Sequence, residues 1–481
     1  MKERSKIFLM MTAVLLALGS CAKDLPVVEP VGPGTDGEGP ERIISASFGP
    51  ASKSTLNADG VTPEFTDGDL IMVANGVATQ VCTLRVGGGL TTFRTTLGGP
   101  LTAVYPKDAA VVSGNDITGV KVLSEQTGLF KDANIAKAVN VTTHATFDNQ
   151  TAVLRFYVDA SIGVKSITIT SGSGNIATGA AAITVDPDEA LISTKTSGNP
   201  DPRLCYVAVL PNTAANTLAF TSITTTQGTV TRTTTATLET NGMYNAFIPY
   251  YISIKVGSSP DVYQKWGYCN VGAFLPEDYG KYFAWGDTVG QYAANTGDAF
   301  AAKPFSWANC PHTDGTYSDS NKAVFTRYTA SNNAYAKSGT ADGKTVLDLA
   351  DDAAHVNWGD DWRMPTGGEG GEFEALINGT TGTWTTVNGV NGRKFSGAGN
   401  NVFFPAAGYG DDATISGQGS NGFYWSCTLG SNPHISRHCF ISSGEPQPSN
   451  ENHRRFGRTI RPIYIQDIGS GFDTYTDEGN I

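Results

Sequence analysis

Leu347-Asp-Leu-Ala-Asp351-Asp352-Ala-Ala-His355-Val-Asn357-Trp358-Gly-Asp-Asp-Trp362-Arg363-Met364-Pro365-Thr366 has the spacing of neither a plain helix nor a plain strand. Two tryptophans and a Met-Pro pair lie among carboxylates and a glycine turn. Such a mix buries large rings while its polar groups bond neighbouring loops. Working outward, Trp266, Trp285, Trp307, Trp358, Trp362, Trp384 and Trp425 are all seven tryptophans of the chain, so this region holds a core of its own. Trp285, Trp358 and Trp362 are expected inside it, and Arg363, Arg458 and Arg461 are expected to pair with buried carboxylates such as Asp351 or Asp352. Glu372-Phe-Glu-Ala-Leu-Ile377 predicts a helix, which makes the region α+β with much irregular structure.

Flanking motifs extend the pattern: Tyr282-Phe-Ala-Trp285-Gly286-Asp287, Phe404-Pro405-Ala-Ala-Gly408-Tyr409, Tyr424-Trp425-Ser426 and Phe456-Gly457-Arg458-Thr-Ile-Arg461-Pro462-Ile463. With the central stretch they resemble the Fibrobacter succinogenes major paralogous domain, over about Val262 to Tyr464. The resemblance implies a C-type-lectin-like fold, shared with formylglycine-generating enzymes.

The chain has 481 residues, a net charge of -12 and a pI near 5.0. That length accommodates two to four domains. Charged residues make up 16% and there are 56 glycines, which favours strands and loops over helices. No cluster of Lys and Arg alternates with aromatics, so nucleic acid is excluded as a partner on charge grounds.

Lys2, Arg4 and Lys6 precede an apolar run from Ile7 to Leu18, and Leu18-Gly19-Ser20-Cys21 follows. Residues 1–21 thus read as a secretory signal too short to span a bilayer. The small-small-Cys ending is similar to a bacterial lipobox, which implies a lipid anchor on Cys21; the other reading is an ordinary signal with an incidental cysteine. Export leaves six cysteines to be explained, Cys82, Cys205, Cys269, Cys310, Cys427 and Cys439. They are too few for a disulfide framework, and Cys427 with Cys439 is the first pair to test.

Residues 22–42 are rich in Pro and Gly, lack aromatics and read as a flexible tether ending at Arg42. From Ile43 to Val256 the pattern becomes short period-two runs between turns. Leu154 to Val158, Ser166 to Thr170, Cys205 to Leu210 and Tyr244 to Ile248 suit strands, and turns are marked at Asp59-Gly60, Asp67-Gly68 and Asn241-Gly242. Two β-sandwiches are expected, over 43–146 and 147–257, with Gly257-Ser-Ser-Pro260 as the hinge into a last domain over 258–465. The fold class expected is therefore mainly β: two sandwiches, then an α+β lectin-like domain and a tail over 466–481.

Ala46-Ser-Phe48, Lys53-Ser-Thr55, Phe65-Thr-Asp67-Gly-Asp69, Ala103-Val-Tyr105-Pro106 and Asn149-Gln-Thr-Ala-Val-Leu-Arg155-Phe156 together resemble the fimbrillin family of Bacteroidota. That resemblance implies a pilus subunit delivered to the outer membrane as a lipoprotein and trimmed by an Arg-directed protease. It also implies joining to other subunits by a donated strand, which fills an apolar groove and its unpaired backbone together. Arg42, directly before the strand-like Ile43-Ile44-Ser-Ala-Ser-Phe48, is the expected processing site, or else a solvated charge. The Gly- and Asp-rich residues 466–481 lack a long alternating run, which suits a terminal subunit.

Trp425 to Arg455 carries three of the six histidines among Ser, Asn, Gln and Arg. Side chains that both donate and accept, held on a rigid scaffold, suit a recognition surface, the alternative being a variable solvated loop. The domain is also similar to the variable proteins of diversity-generating retroelements. There the diversified positions lie between a Trp-bearing strand and a closing Gly-Phe-Arg-like strand; here Phe456-Gly457-Arg458 closes with Phe and Gly exchanged. The ligand-binding residues this implies are Trp425, Ser426, Thr428, Leu429, Ser431, Asn432, His434, Ser436, His438, Ser442, Ser443, Asn450, Asn452 and His453.

Enzymatic signatures are weak. His434 and His438 are four apart beside Cys439, but Pro433 argues against the helix a metal pair would need. Glu445-Pro446-Gln447 resembles a calcium-lectin sugar motif without the Trp-Asn-Asp that should follow. Cys427 and Cys439 lie outside the oxidase motif of the fold's enzyme relatives, and Gly172-Ser-Gly174-Asn-Ile-Ala177 reads as a turn. The expectation is a pilus tip or accessory adhesin, neither enzyme nor cofactor-dependent, binding a glycan or protein on a host or bacterial surface. The competing expectation is a non-polymerising surface lipoprotein binding glycan or peptide.

Overall fold

The computed structural model describes residues 38–49, 64–187, 203–212, 214–258, 261–294, 298–319, 322–398 and 400–465. The signal, Cys21, most of the tether, Asp59-Gly60 and residues 466–481 lie outside them. The molecule is mainly β.

An eight-stranded sheet comes first, with β1 (Glu38–Phe48) inside it, parallel to His144–Asn149 and antiparallel to Leu90–Leu97. The sheet curls on itself, so that Gln80 on one edge strand accepts a hydrogen bond from Thr95 Oγ1 at 2.6 Å. Ile44, Phe93, Phe147 and Phe48 pack its core. The strand thus begins four residues before Arg42, within the expected tether. Ordering Glu38 to Arg42 is offset by pairing Arg42 with Thr95 and by bonds from its guanidinium to Gly99 O at 2.6 Å and Thr142 O at 3.4 Å.

Two further sheets, of three and five strands, share a core in which Phe156 and Phe220 meet edge to face at 5.2 Å. The boundary expected after residue 146 shifts. Phe147 is fully buried in the first core and its strand runs to Asn149. Conversely, Val122 and Phe130 already belong to the second core, and Glu125–Gln126 pairs into its five-stranded sheet.

The hinge at 257–260 also gives way. β2 (Tyr251–Ser258) pairs antiparallel with β3 (Asp261–Gly267), with Ser258 opposite Asp261, so the chain turns a hairpin there. Both strands belong to the last domain, whose ends meet where Trp266 on β3 faces Ile463.

In the deciding stretch, Asp352 caps α1 (Ala353–Trp358), accepting from Ala354 N at 2.9 Å and His355 N at 3.1 Å, and reaches Met364 N at 2.8 Å. Gly359, at φ 108°, ends the helix, and β4 (Trp362–Arg363) joins the terminal sheet. The expected helix is α2 (Glu372–Gly379). Trp285, Trp358 and Trp362 are buried, as expected.

The arginines depart from expectation. Arg363 does pair with a carboxylate, but that of Glu372; Asp351 instead meets Arg327 and the Tyr328 hydroxyl. Arg461 and Arg458 find carbonyls and rings rather than carboxylates. Carbonyls serve the planar donors of Arg461 without a second charge, whereas the Arg458 guanidinium has only ring contacts among the described residues.

Candidate functional site

β5 (Gly422–Leu429), β6 (Ile435–Ile441) and β7 (Gln447–His453) form a three-stranded antiparallel sheet. Trp425 faces His438, which faces Asn450; Ser436 faces Asn452 and Arg437 faces Glu451. Tyr424, Trp425, Ser426 and Cys427 are buried in succession, so β5 is packed on both faces. Trp425 Nε1 donates to Phe283 O at 2.8 Å, and Trp285 Nε1 donates to Ser426 O at 2.8 Å. The turn after β6 is held by Arg393, which donates to the carbonyls of Ser442, at 3.0 Å, and Gly444.

The fourteen sequence-predicted binding residues divide by burial. Trp425, Ser426 and Ser436 are fully buried, and Leu429, His434 and His438 are exposed by 7% or less. His434 is ringed by Tyr335, Phe325 and Trp307, at 4.3, 5.3 and 5.8 Å. His438 lies against Phe423 and Trp425. Polar identity suggested exposure for Ser426, Ser436, His434 and His438; packing on both faces of the sheet and in the turn before β6 buries them. Ser431, Ser443 and Asn452 are exposed, while Thr428, Asn432, Ser442, Asn450 and His453 are half-buried. These eight lie along the strands and turns of one sheet, with Ser431 Oγ bonded to Glu451 at 2.7 Å.

The surface has further members that its polar pattern did not mark. Arg437 and Glu451 form an ion pair at 3.0 Å, and Arg437 also donates to Ser449. On the other side, Phe423 meets Tyr409 at 5.0 Å and Phe440 at 5.1 Å, all three half-buried. Counting outward by twos from Trp425 would have found Phe423, because side chains two apart share a face.

Electrostatics on this side favour neutral imidazoles. Burial, and then the Arg458 charge, push His438 well below its ordinary value. Burial and Arg455 lower His453. Arg458 itself is pulled down to about 9 by burial.

Cys427 and Cys439 form no disulfide: Cys427 packs with Trp285 and Met364, Cys439 with Tyr424 and Ile441, in separate clusters. Burial pushes the Cys427 thiol up to about 12 and Cys439 further, which keeps both protonated and unreactive at neutral pH. Among the described residues no group of three or more His, Cys, Asp and Glu is placed to hold a metal ion. His434 lies in a turn and His438 in a strand, not on one helical face. No family model matches the chain, and no curated protein is similar to it.

Proposed function

We propose that the chain is a surface adhesin, the tip or an accessory subunit of a pilus, whose C-terminal lectin-like domain binds an external glycan or protein. The observation that carries it is the exposure of Ser431, Ser443 and Asn452 at the ends of a sheet whose underside is locked into a tryptophan core. Recognition needs adaptable polar groups on a rigid support, and a surface of this kind tolerates substitution. Possible diversification by a retroelement then falls on those three residues and the half-buried five, while Trp425, Ser426, Leu429, His434, Ser436 and His438 are support. Upstream, fimbrillin-like sandwiches carry the domain away from an outer membrane to which lipidated Cys21 anchors the precursor. Other subunits join by strand donation after cutting at Arg42.

The test is adhesion to host or bacterial cells. Replacing Ser431, Ser443 and Asn452 together by bulky Arg should lower binding at least about tenfold and leave stability within about 0.5 kcal/mol, the usual range for surface changes. Unchanged adhesion would remove the face. Replacing His434 and His438 does not serve this purpose, because both are packed against rings.

One observation favours the second reading, a surface lipoprotein that does not polymerise. Arg42 and Ile43 both lie in register in a central strand, where a protease reaches the bond only after β1 is released. N-terminal sequencing of the mature protein separates the two: a start at Ile43 supports the pilus subunit, a start at Cys21 the solitary lipoprotein.

A further inference from the structure

Three arginines of the closing segment are almost wholly buried, and two of them have acceptors. Arg454 donates to Tyr328 O at 3.3 Å and Arg327 O at 3.4 Å. Arg461 donates to Gly267 O at 3.0 Å and Phe403 O at 2.7 Å. Arg458, 1% exposed, receives rings instead, with its guanidinium carbon 4.3 Å from the Trp425 centroid and 5.2 Å from that of Phe423. Its Nε and Nη1 are buried and have no hydrogen-bond partner among the described residues. Ring contacts return less than burying such a cation costs.

Other buried polar atoms of the sheet and its closing segment are unsatisfied too. His438 Nδ1, Ser436 Oγ and His453 Nδ1 are buried without a partner among the described residues. Both imidazoles feel the Arg458 charge. The half-buried Phe423 ring that Arg458 lies against also meets the half-buried rings of Tyr409 and Phe440. Exposed Gln447 pairs with Phe440 across the strands, and half-buried Asn450 pairs with His438, so amides that donate and accept flank the same rings.

We propose that a rotamer change of Phe423 uncovers the Arg458 donors to a sugar bearing a carboxylate. The carboxylate accepts from Arg458, whose planar donors match its two oxygens. The rings of Phe423, Tyr409 and Phe440 offer apolar faces to the sugar's C–H groups, and Asn450 and Gln447 bond its hydroxyls. A single negative charge fits, because the two imidazoles stay neutral and Arg458 is the one cation among the four unsatisfied groups; a dianion would leave charge uncompensated. The inference rests on the sheet β5 to β7 being the binding face and adds the ligand class.

The test titrates the full chain with 3′-sialyllactose and with lactose, which differ by the acidic sugar. Sialyllactose should bind at least about tenfold more tightly. In R458M that preference should fall about 10- to 100-fold, the worth of one charge-assisted hydrogen bond, while the melting temperature holds or rises because a buried lone cation is gone. Equal affinity for the two sugars, binding of neither at millimolar concentration, or a preference that persists in R458M overturns the proposal. None of those outcomes touches the binding face, which the Ser431, Ser443 and Asn452 variant tests by adhesion. Should R458M fail to fold, R458K decides: it keeps the charge without the planar fork, so a several-fold loss supports the proposal and an unchanged preference overturns it.

Discussion

Arg461 lies three residues from Arg458, and its replacement should do the reverse. R461A removes a guanidinium bonded to two carbonyls and strands Gly267 O and Phe403 O in the core, so a loss of about 3 to 5 kcal/mol is expected in denaturant titration. The histidines set the pH response. His438, His453 and His312 all have folded values below 6.5, with burial the leading cause. The unfolded chain therefore binds more protons as pH falls below about 6.5, and stability present above that pH is lost going down. H438F should flatten the decline between pH 7 and 5 in thermal melts; an unchanged slope would place the effect elsewhere. At this scale the sequence was half legible. Tryptophan burial followed from ring size, but the burial of Ser426, His434, Ser436 and His438 did not follow from polarity, since Ser426 bonds backbone and His438 packs rings in ways only the register reveals.

Short elements carry most of the last domain's precision. Asp352 satisfies three backbone N–H groups at the joint between α1 and β4, so D352A should cost about 2 kcal/mol or more, beyond an ordinary cap, whereas D352N keeps part of the cap and costs less. In the closing Phe456-Gly457-Arg458, a Cβ on Gly457 would fall 2.2 Å from the Phe305 ring. Its φ is not in the left-handed region, so space alone makes the demand, and G457A should cost about 1 to 3 kcal/mol by overpacking. The helix α2 was legible from its run of good formers. By contrast α1 is six residues long, too brief for a periodic signal to emerge among the aspartates, although its Asp cap was in plain view. Arg42 and its neighbours read as tether because composition reports the lack of apolar residues, not the backbone pairing that a neighbouring strand supplies.

Across the molecule, the second and third units are welded, and the first sheet reaches their core through Ala74 and Val104. Tyr157 stacks on Tyr268 at 4.7 Å, Phe247 packs on Trp358 at 5.0 Å, and Arg203 grips Glu277 at 2.8 Å. Burial works to raise the Glu277 carboxyl, but Arg203 and Asn388 outweigh it and hold it below its ordinary value. Calorimetry should therefore show residues 150–465 melting in one transition, and E277A should shift it downward. The strand-rich composition was enough to read the chain as mainly β. The boundaries were not legible, because the core spanning residues 74 to 463 is built from contacts distant in sequence, which no local composition shift announces. A fragment starting at 258 would split the β2–β3 hairpin and bare Tyr268 and Trp358, so it should aggregate.

The meeting of Trp266 with Ile463 also bears on how such a molecule would withstand flow. Entry and exit share one narrow neck, so a pull on the entering chain loads β3 and its neighbours first. The sheet β5 to β7 belongs to a separate ladder and keeps its shape while the neck strains. Under tension the domain would open at the neck's few ladder hydrogen bonds before that sheet deforms.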